Sequence, residues 1–348
     1  MKTITIGKRR VGHGEPCLIV AEISCNHLQK KEYALKLIGE AKAAGADAVK
    51  FQTYTPDTIT IDSDNEYFRI KGTLWNGRKL YDLYKEAYTP WDWFPELKDR
   101  AEEEGLVFFS TPFDETAVDF LEKLSVPAYK IASFEINHIP LIKYVAGKGK
   151  PVIFSTGVGT REDIELALKT IRAQKNEQII MMKCTSAYPA PVGEMNLATI
   201  PDMERKFGVL AGLSDHSMNE VVPVSAVAAG ACVVEKHFML RRSEGGPDAA
   251  FSLEPAEFKK MVEMIRNTEA ALGEATYENT EEAGKHKFIM RSIFAVEDIR
   301  KGEKFTRENI RVIRPGHGLH PKHYEEILGK AARAGIKRGT PLKLEMVG

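Results

Sequence analysis

Two short apolar runs that each end in a histidine decide how this chain is read. They are GLSDHS (212–217) and VVEKHF (233–238), followed by GGPDAAFSLEP (245–255). Residues 220–230 between them form an apolar helical run, and each strand-like run, 208–213 and 231–234, ends in a polar cluster. Those clusters are Ser214-Asp215-His216 and Glu235-Lys236-His237. A strand–helix–strand unit sets the ends of both strands side by side on one face of a parallel sheet. His216 and His237 are therefore expected to meet, and two imidazoles beside carboxylates suit a divalent metal. Polar strand ends satisfied by ordinary hydrogen bonds are the alternative.

The same alternation extends through the chain. Near-continuous apolar runs occur at 17–23 (CLIVAEI), 48–53 (AVKFQT), 106–111 (LVFFST), 127–133 (PAYKIAS), 151–156 (PVIFST) and 178–186 (QIIMMKCTS). Such runs suit parallel strands buried on both faces. Helical spacing follows them at 33–45, 90–105, 114–124, from 137, 160–173, 197–206 and 255–271. Eight strand–helix units predict an α/β fold, a (β/α)8 TIM barrel over residues 1–275. A doubly wound open sheet is the runner-up, but neither GxGxxG nor GxxxxGK[ST] is present. Residues 54–89 are polar and aromatic without sustained periodicity, and so long a loop in a compact domain is usually functional. After a charged linker at 276–287, short apolar pairs alternate with Gly, Asp and Lys, which predicts a small β-rich domain at 288–348.

Composition narrows the class of function. The chain has 348 residues, 43% of them hydrophobic, and 49 Lys+Arg balance 49 Asp+Glu. That neutrality argues against nucleic acid as a bulk partner. No apolar stretch has signal-peptide or membrane-spanning length, so a cytoplasmic protein without a membrane partner is expected. Cys17, Cys25, Cys184 and Cys232 form no CxxC pair and read as reduced core thiols.

In a barrel the chemistry sits at the C-terminal ends of the strands. Here those ends carry Glu22, Ser24, Asn26 and His27; Lys50 and Gln52; Ser110 and Thr111; Lys130, Ser133 and Glu135; and Ser155 and Thr156. The later strands add Lys183, Thr185, Ser186 and Tyr188, then the two histidine clusters. Four strands bring a lysine (Lys50, Lys130, Lys183 and Lys236) and most bring a hydroxyl, a lining suited to phosphate and carboxylate groups. Glu22, Glu135, Glu235 and Asp248 are candidates for acid, base or hydroxyl binding. Singly, a strand-end lysine is more often a surface charge, and Ser or Thr there often caps the next helix. Lys50, Lys130 or Lys183 could alternatively be the Schiff-base lysine of an aldolase, in a desolvated apolar site. Cys184, Trp91 and Trp93 read as packing residues.

The blocks AEISCNH (21–27), AVKFQTYTPDTIT (48–60), STPFD (110–114), KIASFEI (130–136), STG (155–157) and KCTSAYPAP (183–191) lead in order to GLSDHS and VVEKHF. Together they resemble the sialic acid synthase family, whose members condense phosphoenolpyruvate with an aldehyde sugar in a (β/α)8 barrel. The tail, with RSIFAVEDIRKGEKFT (291–306), RPG (314–316) and LGKAARAGIKRGTPL (328–342), is similar to the family's antifreeze-like SAF domain. The resemblance implies that Lys50, Thr111, Lys130, Ser133, Ser155, Ser186 and Ser214 hold phosphoenolpyruvate. It implies a divalent metal (Mn²⁺, Co²⁺ or Mg²⁺) on His216 and His237, and a sugar faced by Glu22, Gln52, Glu135, Tyr188 and Asp248. Glu22 is the expected acid/base, with Glu235 as substitute. Arg314 is expected to reach the active site of a partner subunit, which implies a domain-swapped homodimer. Ser186 stands where sialic acid synthases usually have Asn. That departure favours a 2,4-diacetamido-2,4,6-trideoxyhexose, the pseudaminic acid precursor, over N-acetylmannosamine as the acetamido-hexose acceptor, with legionaminic acid synthesis the nearer competitor. A rival from another class is a carbohydrate- or ice-binding protein, suggested by the tail alone.

Overall fold

The computed structural model describes residues 2–348 and divides into two compact units, 1–273 and 274–348. The first opens with a hairpin, β1 (Thr3–Ile6) and β2 (Arg9–Gly12), paired antiparallel. Eight strands then close into a parallel barrel: β3 (Leu18–Glu22), β4 (Ala48–Thr53), β5 (Val107–Pro112), β6 (Tyr129–Ile131), β7 (Val152–Ser155), β8 (Ile179–Cys184), β9 (Leu210–Asp215) and β10 (Val233–His237). They run in sequence order round the barrel, with β10 returning to pair β3. The expected barrel and its eight strands are therefore present.

Apart from two short helices in segment 54–89, the helices of the first unit form where spacing and caps predict them. α1 (Lys31–Ala43) turns Ala34, Leu37, Ile38 and Ala41 inward. α2 (Pro56–Ile59), α3 (Leu80–Ala87) and α4 (Phe94–Glu103) follow β4. α5 (Glu115–Lys123) starts where Asp114 accepts from the amides of Thr116 and Ala117. α6 (Ile139–Ala146) is followed by α7 (Arg161–Ala173), whose capping box pairs Thr160 with Asp163 and leaves two fewer orphan donors at its start. α8 (Thr199–Phe207), α9 (Val221–Ala228) and α10 (Pro255–Leu272) complete the ring.

Alternation along the strands sorts the interior from the layer beneath the helices. Leu18 and Val20 of β3 point into the barrel with Ala48, Phe109, Ala128, Ile153, Ile180, Met182, Leu210 and Val233. Their neighbours Ile19, Ala21, Val49, Phe51, Phe108, Tyr129, Ile131, Phe154, Leu213 and Val234 pack outward against the helices. The hairpin shares the inner cluster: Ile4, Ile6 and Val11 join it and plug the N-terminal end of the barrel. Sequence reading treats 1–16 as a polar lead-in, because four-residue strands such as TITI and RRVG leave little periodic signal. The turn itself is legible, since Gly7 occupies the left-handed region (φ 61°) that a two-residue hairpin requires.

The segment 54–89 is less irregular than its composition suggests. It contains α2, α3, a 3-10 turn at Glu66–Phe68 and an isolated bridge between Arg69 and Lys79. Trp91 stacks on Phe120 and donates its indole N–H to the Tyr54 carbonyl, and Trp93 meets His27 edge-on, so both are packing residues as expected.

The second unit holds α11 (Glu281–Lys285), β11 (Ser292–Ala295), β12 (Ile310–Ile313) and α12 (Tyr324–Ile327). β11 and β12 pair antiparallel around a small core including Ile293, Ile299, Phe305, Ile310, Ile336 and Leu342. Regular sheet there is confined to these two strands; isolated bridges such as Ile299 to Ile336 carry the remaining extended pairing. Frequent Gly and charged turn residues keep each extended piece short. No helix among the described residues is long and apolar enough to cross a membrane.

Candidate active site

Past the apolar layers, the inward positions change character. Two residues beyond Val20 and Ala48 come Glu22 and Lys50, which the register places side by side; His237 pairs with Glu22, and Glu235 with Ser214. Lys130, Ser155 and Ser214 are inward positions of their strands as well. These groups line a cavity of about 350 Å³ at the C-terminal mouth of the barrel, together with Gln52, Thr111, Ser133, Glu135, Tyr188, His216 and Asp248. Among the residues singled out from sequence, Ser186 reaches it indirectly, 3.0 Å from Ser133 Oγ. A Cβ on Gly157 would lie 2.3 Å from Ser133 Cβ and Ser186 Oγ, so the glycine of the STG block lets the two serines meet. Arg314 is an exposed residue of the second unit.

The floor is a buried network of charge. Lys50 Nζ lies 2.6 Å from Glu22 Oε2, 3.6 Å from Glu235 Oε1 and 3.0 Å from Thr111 Oγ1. Lys130 Nζ lies 3.6 Å from the same Glu235 oxygen. Gln52 donates to Glu22 Oε1 at 3.0 Å and to Ser24 Oγ at 2.9 Å, which holds the carboxyl in place. Burial opposes the charge of Lys50, but Glu22 and Glu235 outweigh it and keep the ammonium protonated. For Lys130 burial wins and the pKa falls, with Lys50 adding to the decrease. Lys50, ion-paired and held protonated, does not suit Schiff-base chemistry.

The two glutamates are pushed apart. Burial raises Glu22 to about 7, against Lys50, with Glu235 adding to the rise. Burial also acts upward on Glu235, yet Lys130, Lys50 and His216 carry it below the ordinary carboxylate range. Glu22 can therefore exchange a proton near neutrality while Glu235 stays ionised, the environment-driven division that acid–base chemistry uses. Glu135 is likewise raised to about 7 by burial, and its Oε2 has no hydrogen-bond partner. Ser155 Oγ and His237 Nδ1 are orphaned as well. A buried polar atom left unpaired costs about 1–3 kcal/mol, so these are groups a ligand would satisfy.

His216 and His237 do meet: their ring centroids are 5.4 Å apart with planes inclined at 51°. His216 Nδ1 lies 3.1 Å from the Thr185 carbonyl, which accepts its N–H. Burial opposes the ring's charge, but Cys184, that carbonyl and Asp215 outweigh it and raise its pKa, so an ion binding at Nε2 would displace a proton. His237 Nδ1 lies 3.5 Å from Asp248 Oδ2, and Asp248 in turn accepts from Ser24 at 2.6 Å. Burial and the neighbouring His216 keep the His237 ring neutral, as a ligand must be. No cluster of three or more His, Cys, Asp or Glu side chains able to hold a metal occurs among the described residues. The pair fits an ion taking two protein nitrogens and leaving its other positions to oxygen ligands, the open arrangement of a Lewis-acid site.

Four lysines at strand ends do not make four ligands. Lys183 donates to the Cys184 carbonyl and Thr185 Oγ1, outside the cavity lining. Lys236 is buried on the outer side, paired with Asp215 at 2.7 Å. Both are out of phase with the inward positions of their strands, so parity, applied residue by residue, excludes them. Asn26 and His27 are also structural, binding the Phe238 carbonyl and Thr89 respectively. Sequence reading missed much of the rest of the cavity: Cys25, the collar residues Phe113 and Phe251, and the inward side chains of segment 54–87. Nothing in a loop's composition says which of its side chains turn inward.

Comparison with known proteins agrees with this arrangement. The NeuB family model matches residues 37–277 and the SAF domain model matches 290–348. Pseudaminic acid synthase of Campylobacter jejuni is 48% identical, over 93% of this chain and 95% of that protein. Pseudaminic acid synthase of Helicobacter pylori is 43% identical, over 95% and 98%. The crystal structure of a spore coat polysaccharide biosynthesis protein from Bacillus subtilis superposes with a TM-score of 0.68 at 36% identity, over 100% of this chain and 99% of that one. With an ion-paired barrel mouth, a facing histidine pair and matches of this extent, the chain belongs to the NeuB family and carries a SAF domain at its C-terminus.

Proposed function

We propose that the protein is a pseudaminic acid synthase, condensing phosphoenolpyruvate with 2,4-diacetamido-2,4,6-trideoxy-L-altrose to release pseudaminic acid and phosphate. The observation that carries this reading is the floor of the cavity. Two buried lysines share two buried glutamates, one of which is raised to about 7 and is partly neutral at physiological pH. The floor therefore has a net positive bias that suits an anion.

In the mechanism we propose, Lys50 and Lys130 hold the phosphate and carboxylate of phosphoenolpyruvate, with Thr111, Ser133, Ser155, Ser186 and Ser214 orienting it. C3 of phosphoenolpyruvate bonds to the aldehyde carbon, using the C2–C3 π pair. Glu22 gives its proton to the aldehyde oxygen and recovers one from the water that adds to electron-poor C2. The C2–O bond to phosphate then breaks with its electron pair leaving on phosphate, which takes the proton of the new C2 hydroxyl as the ketone forms. Glu235 stays anionic and steadies the positive charge at C2. Gln52, Glu135, Tyr188 and Asp248 face the sugar. His216 and His237 would hold a divalent metal (Mn²⁺, Co²⁺ or Mg²⁺), which supplies Lewis acidity to a carbonyl oxygen. Positioning and fixed charge provide most of the acceleration in this scheme.

We propose further that two copies act together, Arg314 serving the partner copy's cavity; Arg314 is exposed and makes no ion pair among the described residues. Four unpaired buried cysteines suit the reducing cytoplasm as the location. Phosphate release with phosphoenolpyruvate and a panel of acetamido-hexoses, with the product weighed by mass spectrometry, tests the reaction. Turnover of N-acetylmannosamine in preference to the trideoxy sugar would reject the acceptor. Full activity after chelation would reject the metal. Recovery of activity on mixing inactive Lys50→Met and Arg314→Ala proteins is expected of a swapped dimer.

A further inference from the structure

The cavity has a second wall whose chemistry the reaction scheme leaves unused. Segment 54–87 is rich in charge, yet none of its Asp, Glu, Lys or Arg residues lines the cavity. Most are paired off elsewhere: Lys79 with Asp62 and Asp64, Lys71 with Glu66, Arg78 with Glu86. What the segment turns inward is mostly apolar, with Ile59, Ile70, Trp75, Leu80, Leu83 and Tyr84, and Thr73 adds one aliphatic hydroxyl. Two devices hold this wall against the barrel. The Trp75 indole donates to the Pro247 carbonyl at 3.0 Å, and Tyr54 packs edge-on against Tyr84 at 5.6 Å between ring centres. The cavity is thus divided into a charged floor at the strand ends and an apolar wall on the loop.

We infer that this wall, with Ile70 and Leu80 on its surface, is the acceptor-selecting element, and that it favours sugars bearing methyl groups where other hexoses carry hydroxyls. The inference rests on the synthase reading given above. A hydroxyl packed on Ile59, Ile70, Leu80 and Leu83, away from Thr73 and the Tyr84 phenol, loses its water and finds no donor or acceptor on those four side chains. A methyl group loses nothing and removes apolar surface from water. The discrimination has a ceiling, because an apolar pocket rejects an added hydroxyl by only about 100-fold.

The test compares 2,4-diacetamido-2,4,6-trideoxy-L-altrose with its 6-hydroxy counterpart in the full-length protein, by phosphate release. The expected kcat/KM ratio favours the 6-deoxy sugar by about 10- to 100-fold. Ile70→Asn and Leu80→Asn, made separately, should each lower that ratio by about 10-fold or more while KM for phosphoenolpyruvate stays within about 2-fold. Ile70→Val should restore the preference. Equal use of the two sugars by the unaltered protein overturns the inference alone. So does an unchanged ratio in variants that melt as the unaltered protein does. Should either Asn variant fail to fold, the ratio in the unaltered protein and in Ile70→Val still decides. No phosphate release with either sugar overturns the synthase reading, and the inference with it.

Discussion

At the lower end of the barrel the inward positions are Leu18, Ala48, Phe109, Ile153, Leu210 and Val233, closed off by Ile4, Ile6 and Val11 of the hairpin. A few residues later on the same strands they are Glu22, Lys50, Thr111, Ser155, Ser214 and Glu235, and the end is open. Both layers are withdrawn from water, but only the upper one contains orphaned acceptors and glutamates raised to about 7. The lower end spends its burial on packing, where every atom finds contacts. The upper end keeps polar groups unpaired at a cost in stability, which is how a site stays ready for an anion. Side-chain identity at one or two positions per strand separates stability from chemistry within a single closed sheet.

That contrast can be broken from either end. Lys50→Met should have the largest effect, lowering kcat/KM at least about 1000-fold, since it removes the floor cation and strands Glu22 and Glu235. Phosphate release measures it, and a loss of less than about 10-fold would reject the role. Ile6→Ala is the converse change. Ile6 is fully buried, and truncation there should cost about 2–4 kcal/mol in denaturant unfolding with kcat of the folded enzyme intact.

Glu135→Gln comes next and its sign depends on pH. The native carboxyl keeps its proton up to about 7, whereas the unfolded one loses it near the ordinary glutamate value of 4.5. Between those values the native state binds more protons, so stability falls as pH rises through that window. The full cost, on the order of 3 kcal/mol, is present above it. Gln has no such cost, so the variant should gain stability over the parent at pH 8 and little at pH 4.5; a parallel pair of melting-temperature curves against pH would refute this. Smallest of all, Lys183→Met should change kcat/KM by no more than about 3-fold, because its ammonium serves a local carbonyl and hydroxyl rather than the cavity. A large loss would mean that parity misassigns the strand-end lysines.

Much of the site was legible in linear order. Glu22, Lys50, Lys130, Glu235, His216 and His237 were identifiable because strand ends in a barrel converge on one mouth. The histidine pair is the clearest case: one strand–helix–strand spacing was enough to bring the rings to 5.4 Å. Lys183 and Lys236 looked equivalent to Lys50 and Lys130 as residue types, and only the pleat separates them. The plug formed by β1 and β2 had too short a pattern to register.

The sequence by itself determined the eight-stranded barrel, its second unit and the polar ends of its strands, because apolar periodicity and capping residues act within a few residues of themselves. Tertiary structure decided which glutamate is neutralised, since burial and the distances to Lys50 and Lys130 are set by strands far apart in the chain. It also decided which face of the 54–87 segment meets the cavity. A loop carries no period that commits its side chains to one side, so only the barrel it packs against can make that choice.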